Sequence, residues 1–87
     1  CYFKNPVLAD GSKVSAGKVL EEAGAQAERS GDAAVSAQHS NFIVNEGRAR
    51  AKDVLRLASK LKEKVRELYG YELEEEVIYL PAGASMP

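Results

Sequence analysis

The stretch RAKDVLRLASKLKEKVRELYG, residues 50–70, carries the strongest periodic signal in the chain. Within it Ala51, Val54, Leu55, Ala58, Leu61, Val65 and Leu68 recur every three or four residues. That spacing stacks side chains on one face of an α-helix, so it predicts a helix over residues 50–69 with a single apolar stripe. Gly70 closes it, in the position where a helix-terminating glycine adopts the left-handed conformation. Lys52, Arg56, Lys60, Lys64 and Arg66 lie mostly off the stripe. A helix with one wet and one dry face needs an apolar surface to lie on, and the flanking sequence must supply it.

Upstream, Phe42-Ile43-Val44 is a short apolar run bounded by Asn41 and the turn Asn45-Glu46-Gly47, the pattern of a buried strand. Two weaker strand signals lie around residues 26–29 and 33–36, split by Ser30-Gly31-Asp32. Ser15 is a good N-cap for a short helix carrying Ala16, Val19, Leu20 and Ala23 on one face, with Gly24 at its end. Residues 1–14 read as an extended piece and then a loop with the turn pair Asp10-Gly11. Downstream, residues 76–80 are rich in β-formers and stop at Pro81, leaving residues 81–87 as a loose tail. The order α-β-β-β-α-β predicts an α+β, two-layer domain with helices packed on one face of a small mixed sheet. Leu55, Leu61, Val65 and Leu68 are expected to pack on Phe42, Val44 and Ile78.

Composition narrows the function. The 87 residues are 45% hydrophobic and 29% charged, with 12 basic against 13 acidic residues and a net charge of −1. That is one small domain, too apolar for disorder and too balanced for a globally basic nucleic-acid binder. No apolar run approaches the roughly 20 residues of a membrane span, so the composition is that of a soluble protein. One Cys and one His can form neither an internal disulfide nor a structural zinc site. The chain opens on Cys1-Tyr2-Phe3 without Met, which reads as a piece of a longer protein.

The charged residues are segregated along the chain. Arg48, Arg50, Lys52, Arg56, Lys60, Lys62, Lys64 and Arg66 face only two acids in the same span, Asp53 and Glu63. Glu67, Glu72, Glu74, Glu75 and Glu76 follow without a base among them. The bases surround the apolar stripe and no aromatic residues interleave, so a solvated helix accounts for them better than a phosphate grip. The alternative is a non-catalytic interaction or scaffold domain that uses the basic helix at 50–69 as its contact surface. Cys1 admits three roles: a nucleophile using its own α-amine as base, a small buried hydrophobe, or a thiol acid. His39 lies in the polar stretch between strand signals. In an alternating strand Glu74 and Glu76 share one face and Glu75 takes the other.

Four blocks carry a resemblance. Cys1-Tyr2-Phe3-Lys4-Asn5-Pro6 is similar to a signature of a small residue, two aromatic or apolar residues, then Lys-Asn-Pro. Ala16-Gly17-Lys18-Val19-Leu20-Glu21 is similar to an Ala-Gly-x-Leu-Ile-Glu/Asp helix start. Gly31-Asp32-Ala33-Ala34-Val35-Ser36 and His39-Ser40-Asn41-Phe42-Ile43-Val44-Asn45 match Gly-x-Ala-x-Val-Ser and His-x-Asn-Phe-x-Val-Asn. Leu73-Glu74-Glu75-Glu76-Val77 resembles Leu-Glu-x-Glu-Val. In this order and spacing they resemble the C-terminal substrate-binding domain of the UDP-N-acetylenolpyruvoylglucosamine reductase family, over residues 1–80.

The resemblance implies an oxidoreductase of peptidoglycan synthesis, serving cell-wall biogenesis and hence cell shape and division in the cytoplasm. In such enzymes NADPH reduces FAD, hydride passes to C3 of the enolpyruvyl ether, and a Ser or Cys protonates C2. Cys1 falls on that proton donor and Glu76 on the assisting glutamate. Asn5 and Lys13 fall on contacts to the UDP part, Lys13 by charge to the diphosphate; Lys4 neighbours them, and His39 falls on a polar position facing the substrate. The short loop between Pro6 and Ser15 resembles members lacking an extra tyrosine-bearing segment. Arg50 stands where Ser or Thr often caps the long helix. FAD-binding domains would precede Cys1, so this chain alone is expected to hold neither FAD nor NADPH; a UDP-sugar is its implied partner, with no nucleic acid and no membrane.

Overall fold

The computed structural model describes residues 1–76; all but the first residue of the strand expected at 76–80, and the tail at 81–87, lie outside them. In chain order the elements are helix α1 (Ala16–Glu22), a 3-10 turn (Ala25–Ala27), strands β1 (Arg29–Ser30), β2 (Ala33–Val35) and β3 (Ile43–Asn45), and helix α2 (Ala51–Tyr69). The α+β class expected from the sequence holds. The first half of the strand signal at 26–29 is instead the 3-10 turn, and β1 begins at Arg29.

The helix ends follow from local chemistry. Ser15 Oγ accepts the Lys18 amide at 3.2 Å, which satisfies one of the orphan N–H groups at the start of α1. At the start of α2 the Arg50 amide donates to the Asp53 carboxylate at 3.0 Å, the bond that the third-position acid of a capping box makes back to the N-cap. Gly70 ends α2 with φ 75°, its amide donating to the Arg66 carbonyl at 2.9 Å.

The sheet runs β1-β2-β3 with every pairing antiparallel, Arg29 opposite Ala34 and Val35 opposite Ile43. The expected mixed sheet is therefore corrected among the described residues. The reason lies in the connections. Gly31-Asp32 joins β1 to β2 directly, with Gly31 at φ 56°, and residues 36–42 join β2 to β3. A parallel pair needs a crossover of about a dozen residues or more, and neither link is long enough.

Phe3, Leu20, Leu57, Leu61 and Val65 are the largest fully buried side chains. Phe3 is held against the C-terminal segment by an antiparallel bridge to Glu75, with the Lys4 amide donating to the Glu74 carbonyl at 2.8 Å and the Glu76 amide to the Tyr2 carbonyl at 3.0 Å. A second bridge, Val7 to Lys13, makes the loop after Pro6 a small hairpin around Asp10-Gly11. On α2 the buried face is Val54, Leu57, Ala58, Leu61 and Val65, whereas Leu55 and Leu68 are 56% and 58% exposed. The stripe expected from sequence is thus rotated. Leu55 points about 100° from Val54, off the face. Leu68 has the right angle but lies in the last turn, where its neighbours leave it open. Phe42 is likewise exposed and Val44 half-buried, so Ile43 takes the core position on β3; Ile78 lies outside the described residues.

Leu61→Ala should cost about 2–5 kcal/mol by urea unfolding, the range for a large buried aliphatic truncated to Ala. Leu55→Ala should stay within about 0.5 kcal/mol, as an exposed position does.

Candidate functional site

The sequence-derived site residues sort into two groups. Cys1, Asn5 and His39 line one cleft of about 350 Å³, together with Ser15, Gly17, Glu21, Gln38, Ser40, Asn41 and Phe42. Three segments meet there: the extended N-terminus, the start of α1 and the loop entering β3. Lys4, Lys13 and Glu76 are absent from that lining.

Hydrogen bonds tie the three segments down. The Asn5 Oδ1 accepts the Ala16 amide at 2.9 Å, an external cap on α1 that leaves the Asn5 Nδ2 as a donor for a ligand. Asn41 is 7% exposed. Its Oδ1 accepts the Phe3 amide at 2.8 Å, its Nδ2 donates to the Phe3 carbonyl at 2.9 Å, and its own carbonyl accepts the Tyr2 amide at 2.8 Å. The loop bearing His39 is tied by Ser36 Oγ, which accepts the Gln38 and His39 amides at 3.2 and 3.4 Å. Gln26 Nε2 reaches across from the 3-10 turn to the Ala37 carbonyl at 2.8 Å, and the Phe42 ring lies 5.2 Å from the exposed His39 ring. Cys1 is an exposed free thiol.

Glu76 lies opposite Tyr2 in the register set by Phe3 and Glu75 and is exposed, as is Glu74. Glu75 turns the other way, accepting the Tyr2 hydroxyl at 2.8 Å and pairing with Lys62 of α2. The Lys62 ammonium, aided by the Tyr2 hydroxyl, holds the Glu75 carboxyl below the usual carboxylate range despite its burial. Burial and the facing carboxylate push the Tyr2 hydroxyl upward, so it stays a neutral donor. Lys4 lies 3.9 Å from Glu74 and lines a different cleft of about 490 Å³ with Asn5, Pro6 and Tyr71. Lys13 is exposed on the hairpin arm opposite Val7.

Sequence reading missed Glu21 and Asn41. Glu21 follows Gly17 by one helical turn, so the four-residue spacing on α1 could have placed both on one wall. Asn41 had only its place inside the His39-Ser40-Asn41-Phe42 block as a signal. The basic helix proves partly self-satisfied: Lys60 Nζ donates to the Arg29 carbonyl at 2.9 Å, Lys64 pairs with Glu28 at 3.3 Å, and Lys62 with Glu75.

Among the described residues, side chains take up part of the helix-start amides: those of Ala16 and Lys18 at α1, by Asn5 and Ser15, and that of Arg50 at α2, by Asp53. Among the same described residues no group of three His, Cys, Asp or Glu side chains gathers to hold a metal, and no helix is long and apolar enough to cross a membrane.

A family model described as the C-terminal domain of UDP-N-acetylenolpyruvoylglucosamine reductase matches residues 1–80. The chain is 50% identical over 75 residues to UDP-N-acetylenolpyruvoylglucosamine reductase 2 of Symbiobacterium thermophilum, covering 86% of this chain and 23% of that protein. It is 42% identical over 81 residues to the reductase of Protochlamydia amoebophila, covering 93% and 25%. The crystal structure of the reductase from Thermus caldophilus superposes with a TM-score of 0.63 at 49% identity, over 87% of this chain and 25% of that one. The chain therefore spans about a quarter of the length of the relatives it matches.

Because the Glu75 carboxyl titrates lower in the folded chain than in the unfolded one, its pairing stabilises the fold above the ordinary Glu pKa of about 4.3. That contribution disappears as pH falls through the depressed value. Glu75→Gln should cost about 0.5–1 kcal/mol at pH 7, given the partly exposed Lys62 partner. Denaturation curves of the two proteins should converge only once pH has fallen below the depressed Glu75 value.

Proposed function

The chain belongs to the family of UDP-N-acetylenolpyruvoylglucosamine reductase C-terminal domains, and from that membership we propose that residues 1–80 are the substrate-binding, proton-donating part of such a reductase. The enzyme reduces the enolpyruvyl ether of UDP-N-acetylglucosamine to UDP-N-acetylmuramate in peptidoglycan precursor synthesis, in the cytoplasm. FAD and NADPH belong to N-terminal domains outside this chain, and they supply the reducing equivalents. The observation that supports the reading is the shared cleft that brings Cys1 and Asn5 of the N-terminal segment together with His39, which is distant in sequence.

In this reading the Asn5 amide donates to the UDP part, while Lys13 and Lys4 contribute positive charge toward the diphosphate. His39, in the same cleft as Cys1 and Asn5, faces the substrate. Hydride arriving at C3 builds carbanion character at C2, which a positioned acid must quench. A free thiol, with a pKa of about 8.5, is mostly protonated at neutral pH and is a better acid than a hydroxyl. Cys1 delivers that proton and, being exposed, regains one from solvent. Glu76, opposite Tyr2 on the adjoining strand segment, takes the place of the family's glutamate that assists this protonation.

Stopped-flow flavin absorbance in the full-length reductase separates the two half-reactions. Cys1→Ala should leave reduction by NADPH unchanged and slow reoxidation by the enolpyruvyl substrate by about 10²–10⁴-fold, the effect of losing a positioned acid. Cys1→Ser should keep substantial turnover, Glu76→Gln should share the half-reaction selectivity, and Lys13→Ala should mainly raise KM. If Cys1→Ala reoxidises at the parent rate, Cys1 donates no proton and the assignment fails.

A further inference from the structure

The geometry points to Asn41 as a positioning residue, whose side-chain amide fixes the N-terminal backbone and so sets Cys1 against His39. The inference rests on the reading of Cys1 as the proton donor. Residues 1–4 have a backbone neighbour on one side, the segment around Glu75. On the other side, among the described residues, stands no strand. Asn41 takes its place: Oδ1 accepts from the Phe3 amide at 2.8 Å and Nδ2 donates to the Phe3 carbonyl at 2.9 Å. A side-chain amide presents the same donor and acceptor as a peptide group, so it completes the ladder at a single residue. The Asn41 carbonyl adds a third bond, from the Tyr2 amide at 2.8 Å.

The other end of this clamp is equally fixed. His39 precedes Asn41 by two residues, and its carbonyl accepts the Phe42 amide at 3.0 Å, closing the loop around Asn41. One buried side chain therefore joins the segment bearing the thiol to the loop bearing the imidazole. Asn41 lines the cleft but needs no contact with the reacting atoms to matter. A displacement of about 1 Å in a donor can cost 10²-fold in rate.

Asn41→Asp keeps the acceptor for the Phe3 amide and turns the donor into an oxygen facing the Phe3 carbonyl; Asn41→Ser shortens the reach altogether. In the full-length reductase, both variants should slow substrate-driven flavin reoxidation about 10- to 100-fold. Reduction by NADPH should be unchanged, and substrate KM should stay within about threefold. Cys1→Ala run alongside separates the two layers of argument. If Cys1→Ala is slow while the Asn41 variants match the parent, the positioning role is wrong and the donor assignment stands. If the Asn41 variants lose both half-reactions equally, Asn41 is only structural and the proposal falls. If Cys1→Ala itself reoxidises at the parent rate, there is no donor to position. Amide hydrogen exchange on the unsubstituted chain needs no variant to fold: the Phe3 amide should exchange at least about 100-fold slower than an unstructured amide. Exchange at the unstructured rate would show that the clamp does not exist.

Discussion

The burial of Phe3 is the constraint on which the rest of the molecule depends. Its side chain is 1% exposed and joins Leu20, Leu57, Leu61 and Val65 in the core. A Phe side chain taken fully out of water contributes about 1.5–3 kcal/mol, a large fraction of what a domain of this length can hold in reserve. To place the ring there, the backbone around it must lie flat between α2 and the cleft, with its polar groups satisfied on both edges. Asn41 serves one edge and the Glu74–Glu76 segment the other. Cys1 and Asn5 flank the buried ring in sequence. Their location is a by-product of where that ring sits, which makes the core and the cleft two sides of one piece of backbone.

The features that could be read from sequence are those whose causes are local. Ser15, Gly24 and Gly70 mark helix ends because a hydroxyl cap or a left-handed glycine acts within a turn of its own position. The existence of α2 was equally plain, since its periodicity lies within its own residues. Its rotation was not. Leu55 and Leu57 are chemically the same residue, and only the surface beneath the helix decides that Leu57 is buried and Leu55 exposed. The antiparallel sheet followed from loop lengths that were visible but outweighed by a reading of element order. In the cleft, Cys1, Asn5 and His39 were found through the blocks that resemble a known family; their spacing alone would not have joined them. Asn41 acts on the extended segment around Phe3, far away in the chain, and no local pattern announces that.

The lopsided charge distribution also resolves in three dimensions. A basic helix followed by an acidic run looks like a surface awaiting a partner. In the fold, the acidic run doubles back alongside the helix and Glu75 meets Lys62, while Glu28 meets Lys64 and the Arg29 carbonyl takes Lys60. These bonds staple α2 to the segments on either side of it. They are partly exposed and individually modest, but they direct the acids to particular positions. Glu75 is tied down on the helix side, and Glu74 and Glu76 are left on the outer side.

Tyr2 and Glu75, hydrogen-bonded to each other, are 73 residues apart in the chain. Closing so long a loop carries an entropic cost that local contacts do not, and contacts of this span form slowly. It also imposes an order on synthesis. As the chain leaves the ribosome, the segment bearing Cys1 emerges before residue 75 and can meet Asn41, but its other neighbour does not yet exist. Only when residue 75 has cleared the exit tunnel can the ladder beneath Phe3 be completed. The thiol at the cleft is thus made at the beginning of this segment and fixed in place at its end, so a nascent chain that stops short of residue 74 holds every residue lining the cleft but only the Asn41 half of the bonds that align them.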